Sequence, residues 1–258
     1  MMDKKIAFIG AGAVGTHLSL AFCKAGFSIV QVINRGVEDG QLLARTVNAS
    51  YSEFPEELFE KVTHVFLTLP DQVIPETLSR LPRNDFVVLH TTGSFPMSAL
   101  KKHGHSCGVF YPLQSFTKDR SPNWNDIPIF IEGSSIEIEH DLMELAEEIG
   151  SVGIRLESEK RIKLHMAAIF ASNFTNYIQG RAQEMLQGIG LSDDLIRPLV
   201  DETISKSYEF GAMKAQTGPA RRGDLETLKK HLELLSCCPV DQELYKALSM
   251  SIVEVYKK

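Results

Sequence analysis

The stretch "KIAFIGAGAVGTHLSLAF", residues 5–22, decides the fold. It reads as an apolar run, a glycine cluster and a second apolar segment. "KIAFI" is apolar after its first residue, as a strand buried on both faces must be. Val14, Leu18, Ala21 and Phe22 recur at helical spacing, and Gly26 closes that helix. Between strand and helix lie Gly10, Gly12 and Gly15, a G-x-G-x-x-G turn with Ala11, Ala13 and Val14 between the glycines. The first glycine permits a tight turn, and the second lets backbone amides approach a pyrophosphate. The third lets helix and strand pack closely, while the helix N-terminus adds amides and a positive dipole end. A glycine-rich turn by itself can be purely structural. Its place between a strand and a helix is the context that dinucleotide binding requires.

The end of the next strand, "FSIVQVINR", selects the nucleotide. An acidic side chain roughly 20 residues beyond the motif would bond the ribose 2′-hydroxyl of NAD. This chain has Asn34, Arg35 and Gly36 there, with no carboxylate before Glu38. Arg35 can pair bidentately with a 2′-phosphate and stack on adenine, so NADP is the expected cofactor. The alternative is that Arg35 is a solvated surface charge.

"HVFLTLP", "FVVLH" and "CGVFYP" are further apolar strands, and helical stretches such as residues 71–80 alternate with them. Such alternation predicts a parallel sheet covered on both faces. Thr68, Leu69 and Pro70 would end one strand at the carboxyl edge, where ligands bind in this architecture. Asp71 reads as the N-cap of the helix that follows. "IPIFIEG", "SSIEIEHDLMELAEEIG" and "SVGIRLE" add a strand–helix–strand excursion. From residue 158 onward no strand pattern appears, and a proline-free helix runs to Gly190. The expected architecture is an α/β fold: a Rossmann-type, mostly parallel sheet domain over residues 1–157, then an all-α domain over residues 158–258.

The 258 residues suffice for a dinucleotide domain of about 150 residues plus a smaller one. Lys and Arg number 27 against 33 Asp and Glu, a net charge of −6. That balance disfavours general attraction to nucleic acid or an anionic membrane. No signal-peptide pattern opens the chain, and no apolar run approaches the ~18 residues of a spanning helix. Cys23, Cys107, Cys237 and Cys238 lack zinc-ligand spacing, and no metal is expected. Two of them are adjacent, which suits a disulfide framework poorly. Plain thiols in the cytoplasm are expected, with a redox pair at Cys237 and Cys238 as the alternative.

With these residues in hand, the whole chain resembles the Rossmann-like NADP oxidoreductases that carry a helical C-terminal domain of unassigned function. That group is similar to pyrroline-5-carboxylate reductase, deazaflavin-dependent NADP reductase and the 6-phosphogluconate and beta-hydroxyacid dehydrogenases. The resemblance rests on "IGAGAVG", "LHTTGS", "YPLQSF", "HMAAIFASNF" and "TGPARRGDLETLKKHL"; the first is generic and the last three are specific. It implies an N-terminal NADP domain and a second domain of the 6-phosphogluconate dehydrogenase C-terminal type. It also implies a homodimer built through the helices. It does not supply a substrate.

The resemblance also places the candidate chemistry. "HTTGSF" would border the nicotinamide, so His90, Thr91, Thr92 and Gly93 are expected at the cofactor; for His90 a polar turn after a buried strand explains it equally. "YPLQSF" is similar to a segment that passes under the nicotinamide ring in relatives, which brings in Pro112 and Leu113. Gln114 and Ser115 could bond a carboxamide or substrate, or cap a turn. Many members have histidine where this chain has Tyr111, which weakens a catalytic role for that residue. In the dehydrogenases a lysine and an asparagine lie one turn apart on the following helix; here Ile169 stands one turn before Asn173. His165 is the replacement candidate, because imidazole delivers a proton near neutral pH. The alternative is a packed, hydrogen-bonded histidine.

At roughly 100° per residue, His165, Ser172 and Asn176 share a stripe, and Asn173 is turned about 80° from it. His165, Ser172 and Asn173 are the expected catalytic group. In "TGPARRGD", Asp224 suits an N-cap, while Thr217 and Arg222 are expected at the substrate. Arg221 and Arg222 could clamp a substrate carboxylate or the cofactor phosphate, with one of the pair a plain surface charge; the resemblance favours Arg222, Gly223 and Asp224 as the functional part, with His231 two turns on along the same face. The chemistry expected is hydride transfer between NADPH and a small carbonyl or imine. Hydride exchange with a flavin-type carrier, or NADP binding without turnover, are the alternatives.

Overall fold

The computed structural model describes residues 4–83 and 85–257. Strands β1 (Lys5–Ile9), β2 (Ser28–Ile33), β3 (Ser50–Ser52), β4 (His64–Leu67), β5 (Val87–His90), β6 (Ser106–Pro112), β7 (Ile129–Gly133) and β8 (Gly153–Arg155) form one sheet. Helices α1 (Ala13–Lys24), α2 (Val37–Thr46), α3 (Ile74–Arg80), α4 (Met97–Lys101) and α5 (Ile136–Glu148) connect them. Helix α6 (Ser158–Ala168) follows the last strand. The remainder comprises α7 (Thr175–Gly188), α8 (Arg197–Phe210), α9 (Ala212–Ala215), α10 (Pro219–Arg222), α11 (Leu225–Leu234) and α12 (Pro239–Tyr256).

The strand order is β3-β2-β1-β4-β5-β6-β7-β8. Successive pairs are parallel except β6 and β7, which run antiparallel. Because β1 lies between β2 and β4, the sheet grows first one way and then the other. That switch point opens a crevice at the carboxyl end of β1, where an open α/β sheet takes its ligand.

The apolar runs are buried on both faces. In β1, Ile6 and Phe8 enter one core while Ala7 and Ile9 enter the other. Phe66 of β4 stacks on Phe8 at 5.1 Å and meets Phe110 of β6 edge-on at 5.5 Å. Both are favoured aromatic geometries.

The chain divides into two units, residues 1–173 and 174–258. The long helix expected from residue 158 to Gly190 is therefore shared: its first part belongs with the sheet. The physical reason is Arg161 on α6, fully buried, which donates to Glu132 of β7 at 2.6 Å. The helix is also not uniform, since Ile169–Phe174 is a π-helical turn. Asp71 does not cap α3 as expected. That helix starts at Ile74 with Val73 as an N-cap lacking a side-chain bond, and the Asp71 carboxylate accepts the Ser94 hydroxyl instead.

In the helical unit Asp224 does cap α11, accepting the Thr227 amide at 3.1 Å. Arg181 of α7 grips buried Asp241 of α12 bidentately, 2.7 Å on each oxygen. Among the described residues, no helix is long and apolar enough to cross a membrane.

Candidate functional site

The three glycines of the first turn stand in three different surroundings. Gly10 has φ +110°, and a Cβ there would lie 2.4 Å from the Thr68 carbonyl oxygen. A Cβ on Gly15 would lie 2.3 Å from the Gly10 oxygen. Gly12 is the opposite case: a Cβ there would meet nothing within 4 Å. The space over Gly12 is open. Helix α1, which begins with Ala13, Val14 and Gly15, has neither a side-chain cap nor an acidic residue in its first turn. Its unpaired first-turn amides and dipole suit a phosphate group.

The crevice beside this turn holds about 350 Å³. Gly10, Ala11, Gly12, Asn34, Arg35, Thr68, Leu69 and Pro70 all line it. Two of them act on the chain itself. Asn34 Oδ1 accepts the Ala11 amide at 3.0 Å, while its Nδ2 donates to the Gly36 carbonyl at 2.7 Å. Thr68 Oγ1 donates to the Gly10 carbonyl at 2.8 Å. Both fix the turn. Arg35 is exposed and makes no hydrogen bond or ion pair with the other described residues, so its guanidinium is available to a ligand. Arg80, which the sequence reading passed over, lines the same crevice, held by Glu56 at 2.6 and 3.0 Å.

Further along the sheet edge, His90 does not present a donor at the surface. It is fully buried, and burial, followed by the charge of Arg161, pushes its pKa down to about 3. The neutral ring accepts the Thr92 amide on Nδ1 at 3.2 Å and lies edge-on to Phe95. His90 therefore shapes the turn from beneath, the second of the two readings above. Thr91 is buried too, and Thr92 Oγ1 accepts the Phe95 amide at 3.1 Å. Gly93 touches the site directly. A Cβ there would sit 2.5 Å from Cγ and Nδ1 of His165, so this glycine lets the loop and the imidazole meet.

A second cavity of about 410 Å³ gathers most of the expected chemistry. His165, Ser172 and Asn173 line it together with Tyr111, Leu113, Gln114 and Ser115. Asn173 reaches it because of the π turn. Closing i→i+5 instead of i→i+4 bonds, each residue there advances less around the axis than in an α-helix. The turn Ile169–Phe174 swings Asn173 back toward His165, which a uniform α period does not foresee. Tyr111 Oη and His165 Nδ1 are 3.1 Å apart, with the rings edge-to-face. Burial pushes the Tyr111 pKa up, opposed by the Arg161 charge. Gln114 Oε1 accepts the Ser115 amide at 2.8 Å, so Gln114 caps its own turn while lining the cavity. Pro112 ends β6 opposite Ile129.

In the helical unit, Thr217 and Arg222 are both exposed, on the connection before α10 and at its end. Arg221 instead covers the Tyr256 ring at 4.5 Å, and His231 Nδ1 lies 2.7 Å from Tyr245 Oη.

Comparison with known proteins agrees with this fold. Residues 5–92 match the family described as NADP oxidoreductase, coenzyme F420-dependent, and residues 127–252 match a domain of unknown function (DUF2520). The crystal structure of a putative NADP oxidoreductase from Bacteroides fragilis is 36% identical, with a TM-score of 0.90, covering 98% of this chain and 100% of that one. An imine reductase from Streptomyces aurantiacus superposes with a TM-score of 0.67 at 17% identity, over 99% of this chain and 100% of that chain. A pyrroline-5-carboxylate reductase from Coxiella burnetii gives 0.58 at 13% identity over the same shares. No protein with a curated description matches. Fold and glycine turn thus define a nicotinamide-nucleotide oxidoreductase of the Rossmann class. The chain belongs to the NADP oxidoreductase family, its residues 127–252 matching the domain of unknown function.

Proposed function

We propose that this protein is an NADP-dependent reductase acting on a small carbonyl or imine. The observation that carries the reading is the cavity where Tyr111, His165, Ser172, Asn173 and Gln114 converge, in the same unit as the glycine turn. The residues present fit the cofactor: the space over Gly12 and the first-turn amides suit its pyrophosphate, and unpaired Arg35 suits a 2′-phosphate. When bound, the cofactor supplies the hydride.

The chain's own part is the proton. Burial keeps Tyr111 a phenol, so its hydroxyl donates to His165 Nδ1. That bond leaves Nε2 as the ring's donor. As Nε2 gives its proton to the nitrogen or oxygen of the substrate, Nδ1 takes the Tyr111 proton and the Arg161 charge counters the phenolate left behind; Ser172 and Asn173 offer a hydroxyl and an amide to orient the substrate. This arrangement dispenses with a lysine at Ile169. At about 410 Å³ the cavity is near the lower end of the roughly 300–1,000 Å³ of ligand sites.

The match of residues 5–92 to the coenzyme F420-dependent family favours a second reading, hydride exchange with a flavin-type carrier, which needs no proton donor. NADPH is mixed with 2-oxo acids, cyclic imines or flavins while nicotinamide absorbance is followed. Consumption with an imine or carbonyl, and a kcat lowered about 10²–10⁴-fold in His165→Gln at unchanged NADPH affinity, is expected. Unchanged turnover in that variant removes His165 from the mechanism. Consumption with flavins alone gives the carrier reading, and binding without turnover gives a sensor.

We also assign a homodimer to the helical unit. Support comes from large apolar side chains such as Ile189, Leu199, Leu234 and Val240, each about two-thirds or more exposed.

A further inference from the structure

Arg161 is the largest fully buried side chain among the described residues, yet it belongs to a residue type almost never fully buried. Burying a guanidinium costs several kcal/mol, and a buried ion pair rarely outdoes well-packed apolar groups in stability. The guanidinium is not arranged for maximal bonding either, since its Nε has no acceptor among the described residues. What it does is join three segments. Nη1 donates to Glu132 of β7 at 2.6 Å, and Nη2 donates to the Phe95 carbonyl at 2.5 Å. Ser158, at the start of α6, donates to the same Glu132 oxygen at 2.6 Å and accepts the Met97 amide at 3.1 Å.

One turn further along α6 stands His165, on the same helix face as Arg161. The loop that Arg161 holds through Phe95 is the loop whose Gly93 lies against the His165 ring. Ring and loop are thus tied to each other through one guanidinium. The charged and titratable groups that face it are Glu132 from β7, His90 from β5, Tyr111 from β6 and Asp71 from the β4–α3 connection. Of these, His90 is held neutral, which frees its Nδ1 to accept the Thr92 amide within that same loop. The positive charge also counters the burial of the Tyr111 phenol, the partner of His165.

We infer that Arg161 is a positioning residue: it sets the His165 imidazole and the loop carrying Gly93 in one register for proton delivery. The inference rests on the proton-donor reading of His165. Arg161→Lys keeps the charge but not the fork that reaches Glu132 and Phe95 together. Glu132→Gln, the gentler variant, leaves the Phe95 bond in place. For Arg161→Lys, kcat falls roughly 10²-fold, the loss that a displacement near 1 Å brings, while NADPH affinity stays within about twofold. Glu132→Gln gives a smaller loss of the same kind. In ring-labelled protein, the His165 imidazole resonances and their pH titration shift in both variants; a role confined to stability would leave them in place.

Folded variants with wild-type kcat and unmoved His165 resonances overturn the inference. If Arg161→Lys does not fold, Glu132→Gln decides it on the same two readouts. If the wild-type protein reduces no substrate, the reductase reading fails by itself, and the resonances alone then decide the positioning role.

Discussion

Phe66, in the sheet unit, is fully buried among Phe8, Phe22 and Phe110, whereas Leu234, in the helical unit, has 76% of its surface exposed. The contrast is general. Among the described residues, every buried apolar side chain other than Ala220 and Leu228 lies within residues 1–173. The sheet unit carries its own two-sided core. The helical unit reads as amphipathic helices whose apolar faces call for another surface, which is the physical content of the homodimer proposal.

The comparison can be broken or sharpened by measurement. Truncation in the aromatic core is the largest effect expected: Phe66→Ala should lose about 3–5 kcal/mol in urea unfolding. A loss under ~1 kcal/mol would mean that the sheet core is not self-sufficient. Next comes the choice of cofactor, made within the sheet unit. Arg35→Ala should cost about 1.5–3 kcal/mol of NADP affinity by calorimetry, the worth of charged hydrogen bonds, and leave NAD affinity alone. Tighter binding of NAD than NADP by the wild type would remove the role given to Arg35.

A third measurement uses His90. Its folded pKa of about 3 lies below the ordinary 6.5, so between these values the unfolded chain binds the extra proton. Stability is therefore fully present above pH 6.5 and is lost as pH falls toward 3, with a slope of up to ~1.4 kcal/mol per pH unit from this group. His90→Asn should flatten that slope; an unchanged slope would show that His90 is not held neutral. The smallest effect is at the exposed face. Leu234→Ala should change monomer stability by less than about 0.5 kcal/mol, but Leu234→Glu should shift the light-scattering mass toward that of one chain. A wild type that is monomeric at all concentrations would sink the dimer.

Features that depend on neighbours in the chain were legible in the sequence. The glycine turn, the buried strands and the Asp224 cap are all local, and all stand where local chemistry puts them. Features that depend on distant partners were not. Asp71 has the chemistry of a cap, but Ser94, far along the chain, takes its carboxylate. Arg161 sits in the charged run "SEKRIK", which reads as a solvated face until the sheet closes over it. The direction of β7 leaves no mark in an apolar pattern, and β3, three residues long, is too short to show one. The cavity was legible as a set of residues but not as a phase, because a uniform helical period hides the π turn at Ile169–Phe174.

The wiring of Asn34 bears on any attempt to redesign the coenzyme preference. Its amide spans two backbone groups of opposite polarity, taking the Ala11 N–H with oxygen and the Gly36 carbonyl with nitrogen. An aspartate introduced there to recruit an unphosphorylated ribose would set a carboxylate against the Gly36 oxygen and loosen the strand end it was meant to retune. The acidic replacement belongs at Arg35, where the side chain is bound to nothing else and the main chain around it can stay as it is.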